Sequence, residues 1–283
     1  MRTTNFSGPH CCFKGENVNL NIAGKNALVT GGTRGIGLAV ANALADEGVN
    51  VALCSRDEEE ATNTANNIRT SKGVKSLGIR ADTGVSLDIQ SMVETTFQNL
   101  GGIDILINNA ARVGGTGGPD TLSSLNEEML QNDFDVKILG YLRCAKAVLP
   151  YMENSGWGRI INMDGMAARN AAGISGGMRN AAVMNFTKVM SEEVGVMGIT
   201  VNAVHPAVSK TEALIQRLEA NAKRDGVTIE EAEQKIAKNN AIKRLVTSEE
   251  IASIVTFLCS QQAGCITGEA VAPAGGNSRS VFY

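Results

Sequence analysis

Residues 30–37 read Thr-Gly-Gly-Thr-Arg-Gly-Ile-Gly and lead straight into the apolar stripe Leu38, Val40, Ala41 and Leu44. Glycines at 31, 35 and 37 remove the side chains that would hold a pyrophosphate off the backbone, and a helix N-terminus then supplies N–H donors and partial positive charge. A glycine-rich turn alone often only reverses a chain. Placed after a strand and before a helix, it predicts a dinucleotide site lined by Gly31, Thr33, Arg34, Gly35, Ile36 and Gly37. The next apolar run ends at Ser55-Arg56, where an NAD site would carry an acid for the ribose 2′-hydroxyl. Arg56, helped by Arg34, would instead grip a 2′-phosphate through charge-assisted bonds, which predicts NADP(H). Two solvated surface arginines are the bland alternative, and it leaves unexplained why both flank one ribose.

Such a loop needs a sheet to hold it. Short aliphatic or β-branched runs at 26–30, 49–54, 75–80, 103–108, 159–163, 200–204 and 270–273 alternate with amphipathic helical stretches. That rhythm predicts an α/β chain with one doubly wound domain, a seven-stranded parallel sheet, and ligands at the carboxyl ends of the strands. Residues 1–19 read as a loose arm, and the domain as 20–283. The charged, helical stretch 211–244 interrupts the rhythm and reads as a substrate lid.

The 283 residues carry 43% hydrophobic and 19% charged residues and a net charge of -3, an ordinary globular balance. Acids outnumber bases, 29 to 26, and no basic run speaks for nucleic acid. No apolar run approaches the ~20 residues of a membrane span, and the first residues lack the apolar core of a signal peptide. The six cysteines are without Cys-x-x-Cys spacing, which predicts reduced thiols, no metal site and a cytoplasmic protein.

With Ala81-Asp82, Asn108-Asn109-Ala110-Ala111, the strand Gly158-Arg159-Ile160-Ile161-Asn162 and Ile266-Thr267-Gly268-Glu269 added in order, residues 20–275 resemble the short-chain dehydrogenase/reductase family. The resemblance implies that Asp82 bonds the adenine amine, that Asn108 steadies the sheet, and that Asn109 and Ala110 border the cofactor. It also implies that the segment from His205 and Pro206 to Thr211 lies along the nicotinamide, and that the protein is a homo-dimer or homo-tetramer.

Family reductases use Asn, Ser and Tyr-x-x-x-Lys, the tyrosine giving a proton to the carbonyl oxygen. This chain departs at each position. Alignment of its Asn-Ala-Ala segment puts Gly176 at the tyrosine, Asn180 at the lysine, Asp164 or Gly165 at the serine and Lys137 at the asparagine. The three tyrosines, at 141, 151 and 283, have no lysine four residues on, so the pattern does not recur elsewhere. Candidate catalytic residues are therefore Asp164, Lys137 and Tyr141, the last two sharing a helix face. Asp164, expected to face the crevice, could hold a cation such as an iminium or act as acid or base; its bland role is a cap on backbone N–H groups. Tyr141 has a packing alternative, His205 a structural one. Arg112, Arg169 and Arg179 complete the charged set around the reacting edge.

An iminium accepts hydride without a proton donor, so the lost tyrosine and the aspartate have one explanation. In that loss the chain resembles fungal family members that reduce iminium intermediates in indole-alkaloid biosynthesis. The expectation is an NADPH-dependent reductase of a C=N or C=O bond in a small molecule. A catalytically silent NADP(H)-binding sensor or pseudoenzyme subunit is the alternative from another class, and a cofactor-walled cyclase is a third.

Overall fold

A parallel strand covered by helices on both sides must be apolar on both faces, and β1 (Asn26–Thr30), β2 (Asn50–Ser55), β4 (Ile105–Asn108) and β5 (Gly158–Met163) are accordingly almost wholly buried. The computed structural model describes residues 18–111, 121–171 and 173–277. With β3 (Ser76–Arg80), β6 (Ile199–Val204) and β9 (Ala270–Val271), these strands form one seven-stranded sheet in the order β3-β2-β1-β4-β5-β6-β9. Every pairing is parallel. The order reverses between β1 and β4, so a crevice opens beyond their carboxyl ends.

Helices α1 (Gly35–Asp46), α2 (Glu58–Lys72), α3 (Ser86–Leu100), α4 (Glu127–Phe134), α5 (Gly140–Ser155) and α6 (Ile174–Val194) connect the strands. A π-turn, Asp135–Leu139, joins α4 to α5. Alternating side chains feed two cores. Val29, Leu53, Ile107 and Ile161 pack on one side of the sheet, and Leu28, Ala52, Leu106 and Ile160 on the other. Each such fully buried Val, Leu or Ile stabilises the fold by about 1.5–3 kcal/mol.

Two differences from the expected elements have local causes. The last strand stops at Val271, two residues before Pro273, whose nitrogen cannot donate to a ladder. A second, two-stranded parallel ribbon, β7 (Ser209–Lys210) with β8 (Val246–Thr247), was not foreseen. It ties together the ends of the expected lid, which folds as α7 (Glu212–Asp225) and α8 (Ile229–Ala237) around Leu214, Leu218, Ala222 and Ala232. Then α9 (Ser248–Leu258) starts on a capping box between Thr247 and Glu250.

The expected arm 1–19 lies outside the described residues except for its end, where Asn19 accepts a hydrogen bond from Gln262. Among the described residues no helix is long and apolar enough to cross a membrane, and no three metal-ligating side chains converge. Cys54, Cys144 and Cys259 are buried free thiols, Cys265 is exposed, and Cys11 and Cys12 lie outside the described residues. Burial pushes the Cys54 and Cys259 thiols up to about 11 and about 12, which leaves them unreactive.

Candidate active site

Beyond β1 the chain turns through Gly31, whose φ of 62° suits glycine, and enters α1 at Gly35. Gly37 cannot be anything larger, because a Cβ there would stand 2.2 Å from the Gly31 carbonyl oxygen and 2.5 Å from Asn109 Nδ2. Asn109 holds this turn, its amide donating to the carbonyls of Thr30 and Gly31 at 3.1 and 2.9 Å. Thr30 Oγ1 in turn accepts from the backbone N–H of Asn109 and of Ala110. The loop is thus fastened to β4, and its close backbone leaves an open cleft of about 450 Å³ above.

Twelve of the thirteen expected cofactor residues line that cleft: Gly31, Thr33, Arg34, Gly35, Ile36, Gly37, Ser55, Arg56, Asp82, Asn109, Ala110 and Thr211. Pro206 does not; its carbonyl accepts the Met166 N–H at 3.2 Å. Arg34 and Arg56 are exposed and form no ion pair among the described residues, so both guanidinium groups are free to meet an anion. Asp82 keeps one carboxylate oxygen on the Gly84 N–H at 2.9 Å, which orients it at the cleft edge. Thr211 caps α7 through the Leu214 N–H and faces Gly35, so one residue joins α7 to the glycine loop. The side-chain-free approach at Gly37 and the paired cations fit a dinucleotide with a phosphorylated ribose.

Sequence reasoning missed Glu60, Cys54, Thr83, Val136 and the start of α7, Glu212, Ala213 and Gln216, which also line the cleft. Chain folding alone carries them there, and no spacing signals it.

Deeper in, β4 and β5 are cross-linked by Asn108, whose amide donates to Asn162 Oδ1 at 2.9 Å, and Asn162 donates on to Thr187 of α6. Asp164 follows β5. Its side chain is fully buried and does not line the cleft, which corrects the expectation that it faces the crevice. The Gly165 backbone contacts its carboxylate, as the capping alternative expects. Lys137 Nζ also lies 3.5 Å from it and His205 Nδ1 3.4 Å. Burial raises the Asp164 carboxyl above the ordinary range against the opposing pull of Lys137, and burial lowers Lys137.

Lys137 reaches this place from the π-turn, and its Nζ donates to Asn180 Oδ1 at 2.8 Å. Lys137 and Asn180 therefore meet from opposite helices at the two positions that the alignment exchanged. Gly176, one turn earlier on α6, presents no side chain, and a Cβ there would touch only Ala167, at 3.6 Å.

Tyr141 is corrected to its packing role. It is 1% exposed and its hydroxyl donates to the Met163 carbonyl at 2.8 Å, while burial pushes its ionisation further up. His205 is equally enclosed, with Nδ1 3.1 Å from the Gly165 carbonyl, and burial lowers its pKa. Arg179 pairs with Asp133 at 2.5 Å, and Arg169 donates to the Ala270 carbonyl. Arg112 lies outside the described residues.

Comparison with known proteins bears on this arrangement. A family model described as enoyl-(acyl carrier protein) reductase matches residues 31–278. The short-chain reductase protein NovJ of Streptomyces niveus is 36% identical over 254 residues, covering 88% of this chain and 92% of that one. The chain belongs to the short-chain dehydrogenase/reductase family. Like other members of that family it is an oxidoreductase. The L-sorbose reductase of Gluconobacter frateurii, solved with NADPH and L-sorbose, matches this short-chain fold with a TM-score of 0.87 at 30% identity, over 93% of this chain and 100% of that chain. An actinorhodin polyketide ketoreductase solved with NADPH matches with a TM-score of 0.81 at 31% identity, over 90% and 98%.

Proposed function

We propose that this short-chain family member is an NADPH-dependent reductase that delivers hydride to a C=N (iminium) or C=O bond of a small organic substrate. Its proton chemistry would be set by Lys137 and Asp164 rather than by a tyrosine. The observation that carries this reading is the buried Lys137–Asp164 contact at 3.5 Å, anchored by Asn180. Use of NADPH is supported by the unpaired Arg34 and Arg56 in the cleft and by the two NADPH-bound family structures.

Bound NADPH would supply the hydride. A ketone then needs a proton on its new alkoxide, whereas an iminium loses its charge on reduction and needs none. Lys137 and Asp164 hold one proton between them, since ammonium with carboxylate and amine with carboxylic acid differ only in its position. Lys137 has further N–H bonds beyond the one to Asn180, so in its ammonium form it can pass the shared proton to a substrate oxygen, to be resupplied from Asp164. Asp164, behind it, stabilises positive charge nearby through a weakly screened interior. The bareness of Gly176 leaves room where a tyrosine ring would stand. A biosynthetic reductase for a secondary metabolite fits this site, acting in the cytoplasm where the thiols remain reduced. A homo-dimer or homo-tetramer is part of the reading, with exposed Leu142, Met178 and Val189 on α5 and α6 as apolar surface for it.

A second reading, a catalytically silent NADP(H)-binding sensor or subunit, is favoured by one observation: the Asp164 side chain is 0% exposed. Turnover separates the two. NADPH oxidation is followed with a panel of cyclic iminium ions and ketones, using wild type, Asp164→Asn and Lys137→Met. The reductase reading expects ketone turnover that falls by about a hundredfold or more in Lys137→Met and iminium turnover that falls in Asp164→Asn, with NADPH affinity retained in both. Absence of turnover with every substrate leaves the sensor reading, and undiminished rates in both variants remove the pair from the chemistry.

A further inference from the structure

One carboxylate in the cofactor cleft is unexplained by the proposed reading. Glu60 stands in the first turn of α2, half-buried, and lines the cleft together with Ser55, Arg56 and Arg34. Its neighbours Asp57, Glu58 and Glu59 are exposed, and Asp57 serves as the N-cap by accepting the Glu60 N–H at 3.0 Å. A glutamate three residues after a cap usually turns back to the cap's own N–H. Glu231 and Glu250 do so in this protein, each accepting from the N–H of its cap threonine at 2.9 Å. Glu60 does not. The Asp57 N–H goes to Ser55 Oγ at 3.1 Å, and the Ser55 hydroxyl donates its one proton to Glu60 Oε2, also at 3.1 Å.

That arrangement has a chemical consequence at the ribose. Ser55 cannot donate to a phosphate oxygen while its hydrogen is held by Glu60. A 2′-phosphate gripped by Arg34 and Arg56 would also face the negative charge of Glu60 across the cleft. A ribose 2′-hydroxyl carries no such charge, and a carboxylate accepts its proton. We infer that Glu60 is a cofactor-selectivity residue that opposes the arginine pair, restraining Ser55 and weakening the hold on the adenosine 2′-phosphate. The protein therefore discriminates less strongly between NADPH and NADH than its two arginines alone would dictate. This inference rests on the NADP(H) reading above.

The test is a fluorescence titration of the full chain with NADPH and with NADH, for wild type, Glu60→Gln, Glu60→Ala and the exposed control Glu59→Gln. Circular dichroism checks that α2 remains folded. Both Glu60 variants should bind NADPH about three- to tenfold tighter at low salt while NADH affinity stays the same or falls, and the gain should shrink near 0.5 M salt. Glu59→Gln should stay within about twofold of wild type, since its charge lies outside the cleft. Unchanged or weaker NADPH binding in both Glu60 variants overturns the inference. So does equal tightening for the two cofactors, or an equal gain from Glu59→Gln. Arg56→Ala provides the separate control: if it retains full NADPH affinity, the 2′-phosphate reading itself fails, whatever Glu60 does.

Discussion

Lys137 Nζ and Asp164 Oδ1 stand 3.5 Å apart with side chains 6% and 0% exposed, so the two titratable groups share an almost wholly buried site. Burial works against both charges, raising Asp164 and lowering Lys137 relative to their ordinary values of 3.8 and 10.5. Between the ordinary carboxylate value and the raised folded one, the unfolded chain has released a proton that the folded chain keeps, so stability falls as pH rises. Between the lowered folded value of Lys137 and 10.5, the unfolded chain keeps a proton that the folded chain has released, so stability rises with pH. Unfolding free energies of wild type minus those of the Asp164→Asn/Lys137→Met double variant should therefore fall and then rise across pH 4–10. Each limb is bounded by about 1.4 kcal/mol per pH unit per proton. A difference independent of pH would mean that neither group is perturbed by its burial.

Arg56→Ala and Arg34→Ala should each weaken NADPH binding by about tenfold or more, the loss expected for a charge-assisted phosphate contact, and leave NADH binding nearly unchanged. Calorimetric titration of the two cofactors measures this. Parallel losses for NADPH and NADH would place the arginines elsewhere on the dinucleotide.

Gly37→Ala introduces a methyl group 2.2 Å from the Gly31 carbonyl oxygen and 2.5 Å from the Asn109 amide nitrogen, and the Gly31 backbone cannot easily retreat. The variant should lose about 1–3 kcal/mol of stability from overpacking and most of its cofactor affinity. Chemical denaturation combined with a cofactor titration reads both effects, and wild-type behaviour in each would show that the loop adopts a different path.

Tyr141→Phe removes a buried hydroxyl that donates to the Met163 carbonyl and changes nothing at the cleft. It should cost about 1 kcal/mol and leave turnover of any identified substrate within about twofold. Loss of turnover out of proportion to stability would return Tyr141 to the chemistry.

Much of the cofactor end could be read from spacing, because it depends on local chain geometry. A glycine loop between an apolar strand and an apolar helix stripe has few ways to fold, and both arginines sit within residues of it or of the neighbouring strand end. The strands were similarly visible as continuous apolar runs, since burial on both faces leaves a composition that surface segments do not share. The ribbon of β7 and β8 escaped notice because two residues per strand generate no periodicity.

At the reacting end, sequence determined which groups exist: the chain has an aspartate after β5, a lysine near the start of α5 and no tyrosine paired with a lysine. Only the tertiary structure decided what they do to one another, because the Lys137, Asn180, Asp164 and His205 side chains arrive from four different elements. It enclosed Asp164 instead of presenting it to the cleft, tied Tyr141 to a carbonyl, and turned Glu60 toward Ser55. The physical reason is that orientation and burial depend on packing between distant segments, and burial in turn sets the protonation of every group there. Residue type and spacing carry the former only within a helix turn or a strand, and the latter not at all.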